Sequence, residues 1–353
     1  MTALTTVSVP AGPPEDTAVP PLPWRRMAWV TWRQHRVAVA ALVAALGALA
    51  VYVWTVGLHL HHAYAAAIAC QPANSATCAD LISNLNDMNH VLVGGYTLQI
   101  VPPLIGAFVG ATVLARELET GTFRYAWTQG FGRWRWTLAK LVALAVVVTA
   151  AAGAISVLFS WYYQPYLATG NQAISPNAAS PFSSALFDLR GVAFAAWTLA
   201  AFAIGGLAGM LIRRVVPAIV ATMVAYTALA LAAANVMRQH YLTPLLTTNP
   251  IVPTTAWIYS QRWTKNGQFA FTSWRDAPNA LLQQCRSLPV GPLRKPTQAT
   301  LAQCFAQHGY TQLTKYQPAS RFWAFQSIEG GWLLALSALL IAATVWLVRR
   351  RAV

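Results

Sequence analysis

The chain has 353 residues, of which 56% are hydrophobic and only 9% charged, with a formal net charge of +15. Soluble domains carry about 25% charged residues, so this composition excludes a water-soluble enzyme, a disordered polar chain and a collagen-like fibre. A basic excess in so apolar a chain serves either nucleic acid or the inner face of a membrane, and the placement of the basic residues decides between them.

In chain order, residues 1–23 are rich in Pro, Thr and Ala and lack the apolar core of a signal peptide; they read as a disordered cytoplasmic tail. Residues 24–36 interleave Trp24, Trp29 and Trp32 with Arg25, Arg26, Arg33 and Arg36. Indole and guanidinium groups both settle among lipid headgroups, which predicts an interfacial lead-in helix. Six stretches without Asp, Glu, Lys or Arg follow, at 37–58, 91–115, 141–163, 191–212, 215–237 and 330–348. A helix needs about 20 apolar residues to cross a bilayer core of about 30 Å. The expected fold is therefore an all-α integral membrane protein with six transmembrane helices, the first five within 37–237 and the sixth, with a basic end, within 330–353. Pro102 and Pro103 predict a kink or broken turn in the second span. Gln99 and Asn235, the most polar residues of the spans, read as interhelical hydrogen bonders.

The basic residues are placed asymmetrically. With the N-terminus inside, 14 of them face the cytoplasm, whereas the outer connections 59–90 and 164–188 hold none. The predicted orientation has both termini cytoplasmic, and no nucleic-acid partner is expected. Cys70 and Cys78 then share one outer connection, and Cys285 and Cys304 share the long outer segment 238–329. Pairing within each loop on the oxidising side is the expected connectivity. The long segment should form a small extracytoplasmic subdomain between the fifth and sixth helices, with a strand at Gln268–Thr272 and a helix at Ala299–Gln307.

Spans without charge disfavour a carrier driven by an ion gradient, so energy for transport would enter from outside them. An uncharged interior with a kinked second span favours an amphipathic or lipid-like cargo over a bare ion. The chain contains no G-x-x-x-x-G-K-[ST] phosphate loop, H-E-x-x-H zinc helix or G-x-S-x-G elbow, so no catalytic residue is assigned and no enzyme is expected. Gly106-x-x-x-Gly110 and Gly205-x-x-x-Gly209 have the spacing that lets helices approach closely, either within one chain or across a dimer seam.

The main inner connection spans residues 116–137. Gly121 should end the helix leaving the second span. Thr122 can then cap a short helix closed by Gly130 and Gly132, with Phe123, Tyr125 and Trp127 as an aromatic surface. That surface either docks into a partner's groove or lies on the headgroups. The pattern Glu117-x-Glu119-x-Gly121-Thr122, followed by Arg133 and Lys140, resembles the segment after the second span in permeases of type-2 ABC exporters. Thr31-Trp32-Arg33-Gln34-His35-Arg36 resembles the N-terminus of many actinobacterial members. Gln129 departs from the pattern, standing where many members have proline. The resemblance implies a multi-pass plasma-membrane protein in which two six-span halves, a homodimer or a pair of paralogues, form the pathway among membrane lipids. Separate ATPase subunits would hold ATP and Mg, leaving this chain without a cofactor. On that likeness Glu117, Glu119, Thr122 and Arg124 orient or dock the coupling segment, Gly121 sets its start, and Phe123 to Gln129, including Tyr125 and Trp127, form its contact surface. Trp32, Arg33 and Arg36 lie in a second contact.

Two other readings compete. The outer segment could be the ligand-binding part of a membrane sensor or scaffold with no ATPase. Alternatively, His59, His61 and His62, with His90 across the same loop, could handle an extracytoplasmic metal or haem, imidazole being a ligand for zinc, copper and haem iron.

Overall fold

The computed structural model describes residues 24–71, 76–78, 80–81, 98–121, 133–169, 180–249, 252–253, 255–286 and 298–351. The tail 1–23, the short helix expected at 122–132 with Thr122, Phe123, Arg124, Tyr125, Trp127 and Gln129, and His90 lie outside these residues. Six helices are long and apolar enough to cross a membrane. They are α1 Trp24–Ala69, α2 Val101–Thr120, α3 Arg133–Thr169, α4 Ala193–Ile212, α5 Val215–His240 and α6 Phe322–Arg351.

Several helices differ in extent from the spans read in the sequence. Helix α1 runs for 46 residues without interruption, about 69 Å at 1.5 Å per residue. The lead-in segment 24–36 is thus the first part of the same helix rather than a separate one, and the apolar span itself covers Val43–Ala69. In α2, Pro102 and Pro103 fall in the first turn, where backbone N–H groups have no intrahelical acceptor to lose. The break expected at Pro102 takes the form of a turn at Gln99 and Ile100, between helical Leu98 and the start of α2, and a second irregularity is a π-helical segment, Gly106–Ala111. Helix α6 starts at Phe322, so Glu329 lies within it, and α5 continues beyond Met237 through a π turn, Ala233–Met237, and a 3-10 turn, Arg238–His240.

Helix α4 is the centre of the bundle. In its most apolar stretch 61% of residues are buried, against 17% for α5 and 22% for α1. The glycine pairs explain its closest contact. A Cβ on Gly205 would lie 2.1 Å from the Gly106 carbonyl oxygen, and one on Gly209 would lie 2.4 Å from that of Ala111. In return, Cβ atoms on Gly106 and Gly110 would each lie 2.5 Å from an α4 carbonyl oxygen, those of Ala201 and Phe202. The two small-residue motifs therefore face each other within one chain, backbone against backbone, and their use is α2–α4 packing. Asn235 donates to Leu231 O of its own helix at 2.9 Å, an intrahelical bond in place of the expected interhelical one.

The membrane part is all helical, whereas the subdomain between α5 and α6 mixes helix and sheet. Its strands β1 Leu245–Thr247, β2 Trp257–Lys265, β3 Gln268–Phe271 and β4 Tyr310–Gln317 form an antiparallel sheet in the order β1-β4-β2-β3. The expected strand is β3, and the expected helix is Gln298–Gln307. Asn266 and Gly267, both with positive φ (51° and 79°), make the two-residue turn between β2 and β3, the Asn-Gly signature of a tight hairpin. Trp263 and Phe271 pack on Leu281, Leu282, Leu301 and Phe305 from the helices Asn279–Arg286 and Gln298–Gln307.

Both cysteine pairs are joined as read from the sequence: Cys70–Cys78 with Cα atoms 5.8 Å apart, and Cys285–Cys304 at 5.7 Å. The second bridge ties the two subdomain helices beneath the sheet. Closing its 19-residue separation is worth about 3 kcal/mol by loop entropy. The double variant Cys285→Ala with Cys304→Ala should accordingly raise hydrogen exchange across β2 and β3 while leaving α4 protected.

Candidate functional site

Two polar clusters, one at each end of the bundle, hold the helices in register. The first lies at the arginine-bearing end, where the sequence places the acidic pair. Glu117 and Glu119 occupy the last turn of α2, and Gly121, with φ +72°, ends that helix. Carboxylates are disfavoured at a helix C-terminus because the dipole is negative there, so each needs an outside partner. Glu117 accepts a hydrogen bond from Lys140 Nζ, whose side chain is 1% exposed against 18% for Glu117. This ion pair joins the end of α2 to the second turn of α3. Glu119 Oε2 accepts the Val215 N–H at 3.0 Å, so a carboxylate misplaced on α2 is well placed at the positive N-terminus of α5. The link between α4 and α5 is only Arg213 and Arg214, and Arg213 takes φ +58° to end α4. The 116–137 connection is thus largely helical at its edges: α2 reaches Thr120 and α3 begins at Arg133.

The second cluster was not read from the sequence. Asp188, Arg238 and Glu329, each next to an apolar stretch, meet where α4 and α6 begin and α5 ends, beside the subdomain. Arg238 donates through Nε to Glu329 Oε2 (3.0 Å) and through Nη2 to Glu329 Oε1 (2.7 Å), a two-pronged pairing that suits the planar guanidinium. Nη2 also donates to Asp188 Oδ1 at 2.5 Å, and the guanidinium carbon sits 4.2 Å from the Phe187 ring centroid. Glu329 is fully buried. It further accepts from Trp197 Nε1 (2.9 Å) and Tyr241 Oη (3.2 Å), while Trp332 Nε1 donates to Tyr241 Oη at 2.8 Å. Gln326, also fully buried, accepts the Ala193 N–H and donates to Phe187 O, both at 2.9 Å, binding α6 to the start of α4. Burial pushes the Asp188 carboxyl up to about 6; Arg238 pulls it back, and the Glu329 carboxylate adds to the rise.

The chain leaving this cluster is fastened to the subdomain. Gln317 donates to Leu242 O at 2.8 Å, and Arg321 donates to Thr243 O and Gln317 Oε1, both at 2.7 Å. A sequence signal for the cluster exists in retrospect. Of nine acidic residues, Asp188 and Glu329 sit at the edges of apolar runs on the same side, where a carboxylate persists only when paired.

The remaining candidate residues are dispersed. Arg33 and Arg36 are exposed on α1, with Arg33 over the Trp29 ring at 5.4 Å, and Trp32 lies in the same helix. His59, His61 and His62 fall inside the apolar part of α1. His61 stacks on Trp161 at 4.6 Å, with Nε2 3.1 Å from Trp161 O, while His59 and His62 are exposed. Among the described residues these histidines do not converge on a shared ligand position; the only such group, Cys285, Cys304 and His308, has both sulfurs committed to a disulfide.

The chain matches the family described as ABC-2 membrane transporter related over residues 40–238. That range covers more than half of the chain and runs from α1 to Arg238. No curated protein and no solved structure matches the chain.

Proposed function

The chain belongs to the ABC-2 membrane transporter related family, and from that premise we propose that it is the membrane-spanning subunit of an ATP-driven exporter. On this reading the basic end of the bundle faces the cytoplasm. A separate ATPase subunit, carrying ATP and Mg, presses on the 116–137 connection, and a second permease half completes the pathway. The chain itself does no covalent chemistry. The observation that supports the reading most is the bracing of that connection. Glu117 with Lys140 ties its edge to α3, and Glu119 with Val215 ties it to α5. Force applied between these points reaches three spans instead of bending a loose loop. The arginines of α1 form the second contact with the ATPase.

Glu119→Lys tests the reading. The change puts a cation at the positive end of α5, an effect of about 0.3–1 kcal/mol, too small to prevent insertion. Membrane levels should match those of the unaltered protein, while ATP hydrolysis by the partner continues without transport. Transport at the unaltered rate would count against the coupling role. A pull-down that recovers no ATPase would favour the sensor reading.

A further inference from the structure

We propose that α5 is a tied strut that carries movement of the 116–137 connection to the subdomain between α5 and α6. The proposal rests on the permease reading and adds to it a route for the stroke. Helix α5 is the least buried of the six spans. Its buried residues Ala218, Thr222, Tyr226 and Ala233 form one narrow stripe, in which three of the four side chains are small. The Thr222 hydroxyl donates to Ala218 O at 2.6 Å, inside its own helix, so it adds no grip on a neighbour. Apart from the Tyr226 ring, which packs edge-on against Trp197 at 5.5 Å, the stripe is small-sided and suited to sliding along the helix axis, as packed helices do in shear motions.

The hydrogen-bonded and ionic ties from α5 to other elements sit at its two ends. At one, Val215 donates to Glu119 two residues before Gly121, where the connection begins. At the other, Arg238 is held by Glu329 on α6 and by Asp188. Leu242 and Thr243 are then hydrogen-bonded from Gln317 and Arg321, and β1 starts at Leu245. The π turn Ala233–Met237 immediately precedes Arg238. A π turn holds one residue more than an α turn and is a weak point of the ladder, so it can take up a change in length or twist between the sliding body and the anchored end. A displacement at Glu119 therefore has a continuous path through α5 to Arg238 and into the sheet.

The experiment uses the full permease–ATPase complex in lipid nanodiscs. Spin labels are placed at Val216→Cys on the first turn of α5 and at Phe269→Cys on β3. Each is paired with Val146→Cys on α3 as reference; these positions are 70%, 65% and 63% exposed. The native cysteines are bridged and do not label. Trapping the complex with ATP and vanadate should shift both distances. Glu119→Ala should lose both shifts, and Glu119→Gln, which keeps a side-chain oxygen for the Val215 N–H, should restore them. Arg238→Met combined with Glu329→Met replaces the buried pair by apolar side chains of similar size; it should keep the Val216 shift and lose the Phe269 shift. A Phe269 shift that survives in Glu119→Ala or in the Met pair overturns the strut. An unaltered complex in which neither distance moves overturns the permease reading itself.

Discussion

Replacing Arg238 alone by methionine should be among the most damaging single changes in the protein, lowering stability by about 3–5 kcal/mol, the cost of leaving a buried charge without its partner. Glu329 would retain donors from Trp197 and Tyr241 but lose both guanidinium bonds, in a site where it is fully buried. Asp188 would lose its cation at the same time. The expected result is a large fall in the thermal midpoint of the purified protein, followed by tryptophan emission, since Trp197 and Trp332 line the cluster. The Arg238→Met, Glu329→Met pair should recover much of the loss, because the fully buried carboxylate goes with its partner and only Asp188, whose carboxyl can take up a proton, is left without a cation. Asp188→Asn should be mild by comparison. One guanidinium faces two carboxylates here, and the surplus one carries the raised pKa of about 6. A carboxyl held above its ordinary value of 3.8 binds its proton more tightly in the folded state. Its contribution to stability is thus fully present below pH 3.8 and lost as pH rises through about 6. Asp188→Asn should flatten that part of the pH profile; a profile unchanged by the substitution would show that Asp188 does not titrate there.

Gly205→Val should disrupt the centre of the bundle. Even the first carbon of the side chain would stand 2.1 Å from the Gly106 carbonyl oxygen and 2.7 Å from the Ala111 nitrogen. These are backbone atoms, which no rotamer change can move aside. Helices α2 and α4 must therefore separate, and the buried cluster that holds Phe202, Ile105, Leu141 and Leu144 opens with them. Overpacking in a well-filled core costs about 1–3 kcal/mol and sometimes more, and a β-branched side chain against backbone belongs at the upper end. Loss of monodisperse protein after detergent extraction is the expected readout. Gly153→Ala is the matched control. A Cβ there meets nothing within 4 Å, so the substitution should stabilise α3 by about 0.5–1 kcal/mol through the lower backbone entropy of alanine. Equal effects at the two positions would mean that the α2–α4 crossing is looser than described.

The acidic pair shows how far a motif can be read locally. Glu117, Glu119 and Lys140 stand out through the family resemblance and Gly121 through its glycine, and Gly121 does end α2 in the left-handed conformation. What spacing does not contain is the partner. Glu117 reaches 23 residues ahead to Lys140, and Glu119 reaches 96 residues ahead to Val215. Both carboxylates are bonded to distant parts of this chain, contacts that fit the orienting of the coupling segment that the resemblance implies. The glycine motifs behaved alike, with the close approach legible in each and the choice of partner not.

What the sequence alone determined is what depends on neighbours along the chain. Six apolar runs are long enough to demand helical backbone bonding in lipid, each pair of cysteines lies within one loop, and one alternating segment forms a strand. Tertiary structure decided what depends on groups far apart. Hydropathy treats every charge as a span boundary, because an isolated charge in an apolar medium is prohibitive. It cannot register that Arg238 reaches carboxylates 50 and 91 residues away and can be buried with them. For that reason Asp188, Arg238 and Glu329 read as the edges of three spans, and only the folded bundle shows them as the joint that holds those spans together.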